Sequence, residues 1–308
     1  MYQMKRKIVS GVTNYSIQHN DFRSVDLRST PSGNVSVVIT DPSDGSLSTG
    51  TTSLPNGSYS FKKAPNLTNL NVYGNYYLDD AHSSGDYNLQ SGGNGKNDSL
   101  ISIDFGGTAL AIPNMQGAVA LQTFNQTYNR GGTTNPLTSG SSYLFANCSA
   151  LTSLSFYATN LGAINFPTGG FTNTSLTDLD LRYTGIKGGQ SGDESEVIKK
   201  STFASCPNLT NIYIDSPNLL EQEINVDAFK QNPSLRYFWI RSNNRVTGSL
   251  PDFGANPNLS SLFLERNNFT GALPSFGSNG NIHYVNIQHN AFTSQIPAFT
   301  NLVFTKSN

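Results

Sequence analysis

The chain has 308 residues, room for one large domain or two ordinary ones, and carries a formal charge of −1 with only 13% charged residues. That balance removes the electrostatic case for nucleic acid or an anionic membrane surface, and no stretch is long and apolar enough to span a bilayer. Disorder is excluded as well, because net charge is low and the sequence holds 14 Tyr and 18 Phe; the chain folds behind a surface of uncharged Asn, Ser, Thr and Gly.

In chain order, "KRK" at positions 5–7 is a short basic flank, and "IVSGVTNYSI" after it lacks the sustained apolar run of a secretory signal. The first patterned segment is "VTNYSIQHNDF" from Val12: an apolar residue, others three and five positions later, Asn at eight and an apolar residue at ten. Its hexapeptide "IQHNDF" returns as "IQHNAF" at 287–292. Between them the spacing recurs, vaguely from Val35, then in "LTNLNVYGNYY" from Leu67, "LISIDFGGTAL" from Leu100 and a less regular "LQTFNQTYN" from Leu121. It continues in "LTSLSFYATNL" from Leu151, "LTDLDLRYTGI" from Leu176 and "LTNIYIDSPNL" from Leu209. Three tandem copies follow, "LRYFWIRSNNRVTGSLP" from Leu235, "LSSLFLERNNFTGALP" from Leu259 and "IHYVNIQHNAFTSQIP" from Ile282, their starts 24 and 23 residues apart. A Phe stands six residues before the anchor at Phe61, Phe145, Phe203, Phe229, Phe253 and Phe276, opening segments such as "FANCSAL", "FASCPNL" and "FKQNPSL".

Two segments exceed the period. Residues 78–98, rich in Gly, Ser and Asp, read as a surface loop whose acids lack EF-hand spacing. Residues 188–203 carry a capping residue, acids early and lysines late, which predicts a short helix; "LEQEINVDAFKQ" from Leu220 predicts another.

Alternation around positions three to five predicts one short strand per unit, with positions zero, three and five facing inward. An Asn at eight can satisfy backbone groups where the chain leaves the strand, so stacked units would form a ladder of Asn20, Asn75, Asn129, Asn243, Asn267 and Asn290. Thr108, Thr159 and Thr184 substitute in it, and Pro217 interrupts it. Cys148 and Cys206 hold equivalent places in units separated by another, too far apart for a disulfide, and read as small buried core residues.

Over nearly its whole length the sequence resembles the leucine-rich repeat family. The "TGSLP", "TGALP" and "TSQIP" tails are similar to the plant-type subclass, and the Phe/Cys openings to repeats of bacterial surface proteins. The resemblance implies an α/β-type solenoid, mostly β: a superhelix of about 11–12 coils with a parallel sheet on its concave face and loops or short helices on its convex face. Residues 1–308 then form a single continuous solenoid, with insertions near 78–98 and 188–203. The first unit begins close to Met1 and the last anchor is Leu302, so both ends are expected to be covered by further chain, a partner subunit or another copy.

No catalytic constellation stands out. His19, His82, His283 and His289 are too scattered for a zinc set, and Asp178 with Asp180 follows strand alternation. No cofactor or metal is expected. The residue between anchors three and five faces solvent, and successive units place there Ser155, Asp180, Tyr213, Trp239, Phe263 and Asn286. Flanking exposed positions add Arg182, Tyr183, Arg236, Tyr237, Arg241, Arg266, Tyr284 and His289. Aromatic and Arg residues dominate binding hot spots, while aromatics also favour strands, so the row is either an interaction surface or strand chemistry alone. As a surface it would take a protein or glycan ligand, or a neighbouring subunit. The reading is a non-enzymatic interaction or structural protein at a virion surface (a phage fibre or decoration component) or an extracellular surface. The alternatives are a bacterial adhesin or receptor segment and a self-assembling fibril subunit.

Overall fold

The computed structural model describes residues 68–71, 100–107, 115–128, 145–161, 165–190, 194–242, 244–274 and 279–293, and as strand backbone 4–9, 12–18, 24–26, 35–40, 59–60 and 303–304. Two compact units are present: Met1–Pro136 with Leu144–Leu151, and Leu137–Tyr143 with Thr152–Asn308.

The strands of the first unit are β1 (Met4–Val9), β2 (Val12–Gln18), β3 (Ser24–Asp26), β4 (Val35–Thr40), β5 (Tyr59–Ser60), β6 (Asn69–Asn71), β7 (Ser102–Asp104) and β8 (Thr123–Asn125). β1 and β2 form an antiparallel hairpin, and β2 continues in parallel to β4 and then β5. A separate parallel sheet runs β3, β6, β7, β8, with Asn69, Ser102 and Thr123 in register. Leu70, Ile103 and Phe124, each three positions after its anchor, point inward and are buried. The units from Val12 and Val35 do not join this sheet: Ile17 lies on β2 opposite Ile39, whereas Ile287 of the C-terminal copy lies outside a strand. An antiparallel β1 beside β2 offers six residue pairs, which local spacing in the Val12 segment does not encode.

The strands of the second unit are β9 (Ser153–Ser155), β10 (Asp178–Arg182), β11 (Glu196–Ile198), β12 (Asn211–Asp215), β13 (Glu223–Ile224), β14 (Tyr237–Arg241), β15 (Thr247–Gly248), β16 (Ser261–Phe263), β17 (Asn268–Phe269), β18 (Tyr284–Asn286) and β19 (Val303–Phe304). The main sheet is parallel, in the order β9, β10, β12, β14, β16, β18, β19. Each coil enters its strand alike: the carbonyls of Thr152, Thr177, Thr210, Arg236 and Ser260 each accept two N–H groups from the next coil at 2.8–3.2 Å. Anchors at zero, three and five, such as Leu176, Leu179 and Leu181 or Leu259, Leu262 and Leu264, are fully buried. This is a leucine-rich repeat solenoid, its inner rows stacking coil on coil.

Among the described residues, the helices expected over 188–203 and from Leu220 are absent. A second parallel sheet, β11, β13, β15, β17, takes their place. Val197, Ile198 and Ile224 are buried in it; strand edges offered by neighbouring coils override a modest helix propensity.

Among the described residues, the recurring Phe203, Phe229 and Phe253 stack, with Phe171 at the head of the row. Phe171 on Phe203, Phe203 on Phe229 and Phe229 on Phe253 lie 5.5, 6.2 and 5.6 Å apart, within 16° of parallel. Beside them runs an Asn ladder that the position-eight pattern does not contain. Asn232 donates to Phe203 O at 2.9 Å and Cys206 O at 2.8 Å; Asn256 donates to Phe229 O at 3.0 Å and Asn232 O at 2.7 Å. Asn279 repeats this on Phe253 O at 3.0 Å and Asn256 O at 2.8 Å. Cys206 and Cys148 occupy the equivalent rung, their thiols donating to Phe171 O at 3.6 Å and Met115 O at 3.0 Å. Both are buried and outside any disulfide. Phe-x-x-Asn or Phe-x-x-Cys was the available sequence signal.

Of the position-eight ladder, Asn267 and Asn290 are described. Asn267 donates to Ile240 O at 2.8 Å and Leu264 O at 2.9 Å, and Asn290 to Leu264 O at 2.7 Å and Ile287 O at 3.1 Å. Asn20, Asn75, Asn129 and Asn243 lie outside the described residues, as does the 78–98 insertion. Pro217 offers no amide for a rung; its neighbour Ser216 donates from Oγ at 2.6 Å to Ile186 O, a different carbonyl from the position-five acceptors of Asn267 and Asn290.

Candidate functional site

Outward positions of the main sheet in the second unit form rows in register. One row reads Ser155, Asp180, Tyr213, Trp239, Phe263, Asn286, the order expected from sequence. The row two residues earlier reads Ser153, Asp178, Asn211, Tyr237, Ser261, Tyr284. Where the strands are longest, Arg182, Asp215 and Arg241 lie side by side. The inward alternation of the anchors leaves each of these side chains on the open face.

The aromatic residues touch one another. Trp239 stacks on Phe263 at 5.3 Å and 30°, Phe263 meets Tyr284 at 4.7 Å and 33°, and Tyr213 meets Trp239 edge-on at 6.3 Å. Tyr213, Trp239, Phe263 and Tyr284 are all half-buried. The Arg182 guanidinium sits 4.7 Å from the Tyr213 ring, 5.3 Å from Trp239 and 5.0 Å from Tyr157. It is held there by Asp180, with Nε to Oδ1 at 3.0 Å and Nη2 to Oδ2 at 2.6 Å. That hydrogen-bonded carboxylate raises the affinity of Arg182 for its proton further. Arg241 pairs with Asp215 at 3.0 Å. Burial pushes the Asp215 carboxyl above its ordinary value, with Arg241 opposing. Arg241 also lies 5.9 Å from the ring of Tyr183, which packs edge-on against Tyr157 at 5.5 Å.

Tyr183, Arg266 and His289 occupy the same place in their coils, just past the strand, and all three are exposed with φ of 58°, 58° and 55°. Left-handed backbone disfavours residues with a Cβ by roughly 1–2 kcal/mol, and Gly107 fills the matching place in an earlier coil. Arg236 and Tyr237 are exposed at the entry of β14. Thus Arg182, Tyr213, Tyr237, Trp239, Arg241, Phe263 and Tyr284 share one face, flanked by Arg236 before the strands and by Tyr183, Arg266 and His289 after them. The sequence reading placed Asp180 on the outward row without pairing it to Arg182, and omitted Tyr157 and Asp215; the two-residue spacing of Asp180 and Arg182 on one strand was the signal for the first pair.

A face of stacked rings and paired arginines provides apolar area and hydrogen-bond donors. Among the described residues no three His, Cys, Asp or Glu side chains converge as metal ligands, and no helix is long and apolar enough to cross a membrane. A cleft of about 570 Å³ lies elsewhere, beside Lys199 and Lys200. Its cations are engaged, Lys200 with Asp227 at 3.2 Å and Lys199 with Ser195 Oγ at 3.0 Å.

A family model described as a BspA type leucine rich repeat region matches residues 122–251 and 185–307 in six copies, together more than half of the chain. No curated protein matches the sequence. Among solved structures, the chain is similar to a TDR receptor, with 19% identity and a TM-score of 0.56 over 92% of this chain and 47% of that one. It is also similar to the plant peptide hormone receptor RGFR1 in complex with RGF2, with 15% identity and a TM-score of 0.51 over 95% of this chain and 49% of that one. These likenesses concern the fold, and the chain spans about half the length of each receptor structure.

Proposed function

Because the chain belongs to the BspA-type leucine-rich repeat family, we propose that it works without catalysis, as a binding module offering the Tyr213, Trp239 and Phe263 row and its arginines to a protein ligand. The observation that carries this reading is the sole Trp of the chain standing half-exposed in a continuous aromatic row, where solubility alone favours Ser or Asn. A comparable scaffold serves RGFR1, a peptide hormone receptor solved with RGF2. The low charge and Asn, Ser and Thr content suit a protein exposed on an outer surface. The carrier in this reading is a virion fibre or decoration component with an adhesive role; a bacterial surface adhesin or receptor segment is the second setting. An antibody to residues 152–293 that labels intact virions selects the first, and one that labels only cells selects the second.

The face is tested with the double variant Trp239→Ser and Phe263→Ser. A partner retained by the natural chain should be lost from the variant while the melting profile stays cooperative. Equal retention by both overturns the assignment of this face.

A further inference from the structure

Resting on that reading, we infer that the ligand is an extended peptide segment with acidic side chains interspersed among apolar ones, and not a sugar. Two observations carry this. The first is how the rings are used. A sugar binds an aromatic residue by lying on its face. Trp239 has Phe263 against it at 5.3 Å, with Tyr213 and the Arg182 guanidinium at 6.3 and 5.3 Å. Phe263 lies between Trp239 and Tyr284, and Tyr213 lies under Arg182 at 4.7 Å. The row therefore spends its ring faces internally and turns ring edges outward. An edge row is a ridge for aliphatic side chains and suits chain crossing the coils.

The second observation is the distribution of charge. On β10 the outward side carries two acids and one cation, Arg182 gripping Asp180 while Asp178 accepts from Thr177 and Asn211, and Arg241 is committed to Asp215. Toward β14 and β16 the balance is cationic. Arg236 and Arg266 are exposed on opposite sides of the row, and among the described residues neither guanidinium has an ion-pair or hydrogen-bond partner; Glu265 precedes Arg266 in the chain. Arg266 holds a positive φ of 58°, as Tyr128, Ala158, Tyr183 and His289 do in the matching places of other coils. Free guanidiniums around an apolar ridge select carboxylates on an apolar segment.

Trp239 is the sole Trp, so its emission reports on this face alone. Four probes are titrated against the full chain: acetylated decapeptides alternating Leu with Glu, Leu with Lys and Leu with Gln, and the neutral oligosaccharide cellohexaose. The Leu–Glu peptide is expected to shift the emission and bind tightest. Its affinity should weaken at least about tenfold in the double variant Arg236→Gln and Arg266→Gln, and fall with added salt. Tighter binding of the Leu–Lys or Leu–Gln peptide, or Leu–Glu binding indifferent to the double variant, overturns the acidic preference while leaving the face as a binding site. An emission change with cellohexaose and none with peptides overturns the peptide assignment. Silence from all four overturns this inference, whereas the proposed function is decided separately by the Trp239→Ser and Phe263→Ser comparison.

Discussion

The side chain of Asn256 reaches across one coil to the backbone carbonyl of Asn232, donating at 2.7 Å, while Asn232 makes the same kind of bond to Cys206 O at 2.8 Å. Each rung thereby satisfies carbonyls in the preceding coil's turn, which is sealed from water. Asn256→Ala should therefore lower stability by about 2–4 kcal/mol, because two buried acceptors lose their donor at once. The thiol of Cys206 fills an equivalent rung with a single donor. Asn232→Cys is accordingly expected to be milder than Asn232→Ala, and equal midpoints in urea for the two variants would contradict the ladder.

The two thiols give a pH prediction. Burial pushes Cys148 up to about 11 and Cys206 up to about 12. An unfolded thiol titrates near about 8.5, so the stability linked to the neutral folded thiols is complete below that value. Above it the unfolded state releases protons first, and stability falls as pH rises toward the folded values. Urea midpoints should drop between about pH 8.5 and 11, less so in the double variant Cys148→Ala and Cys206→Ala. Below about pH 8 a disulfide reagent should label neither thiol until the chain unfolds.

Arg182 joins one carboxylate and three rings, and a lysine cannot reproduce that geometry. Arg182→Lys loses the bidentate grip on Asp180 and the planar contact with Tyr213 and Trp239. A stability loss of about 1 kcal/mol is expected after allowing for solvent at this half-buried position. Iodide should quench Trp239 more strongly in the variant; unchanged quenching would mean that Arg182 does not cover the ring.

Backbone space is tightest at Gly170. Its φ is 88°, and a Cβ there would meet the Ser201 carbonyl oxygen at 2.1 Å. Gly170→Ala should cost at least about 2 kcal/mol, since both dihedral strain and a backbone clash oppose it. Gly169→Ala, with similar φ but open space, isolates the strain and should cost less in the same thermal melts.

From sequence alone, the inner rows were decided: Leu176, Leu179 and Leu181 must face one way and Asp178, Asp180 and Arg182 the other, because a strand alternates whatever lies beside it. The coil period, the Asn267 and Asn290 rungs and the order of the Tyr213, Trp239, Phe263 row follow from the same local rule. Tertiary structure decided what depends on the neighbouring coil. The charge pattern of 188–203 suits a helix, yet the edge supplied by β13 draws Glu196–Ile198 into a sheet. The Val12 segment matches the repeat, yet β1 and β4 claim its strand. Phe-x-x-Asn acquires meaning only when stacking brings one coil's carbonyls within reach of the next coil's amide. Likewise the rings of Trp239 and Phe263 are known to be exposed from their positions, but which of their surfaces meets solvent is settled by contacts between coils. Spacing encodes which side of a strand a residue takes; it carries no information about what the adjacent strand will place against it.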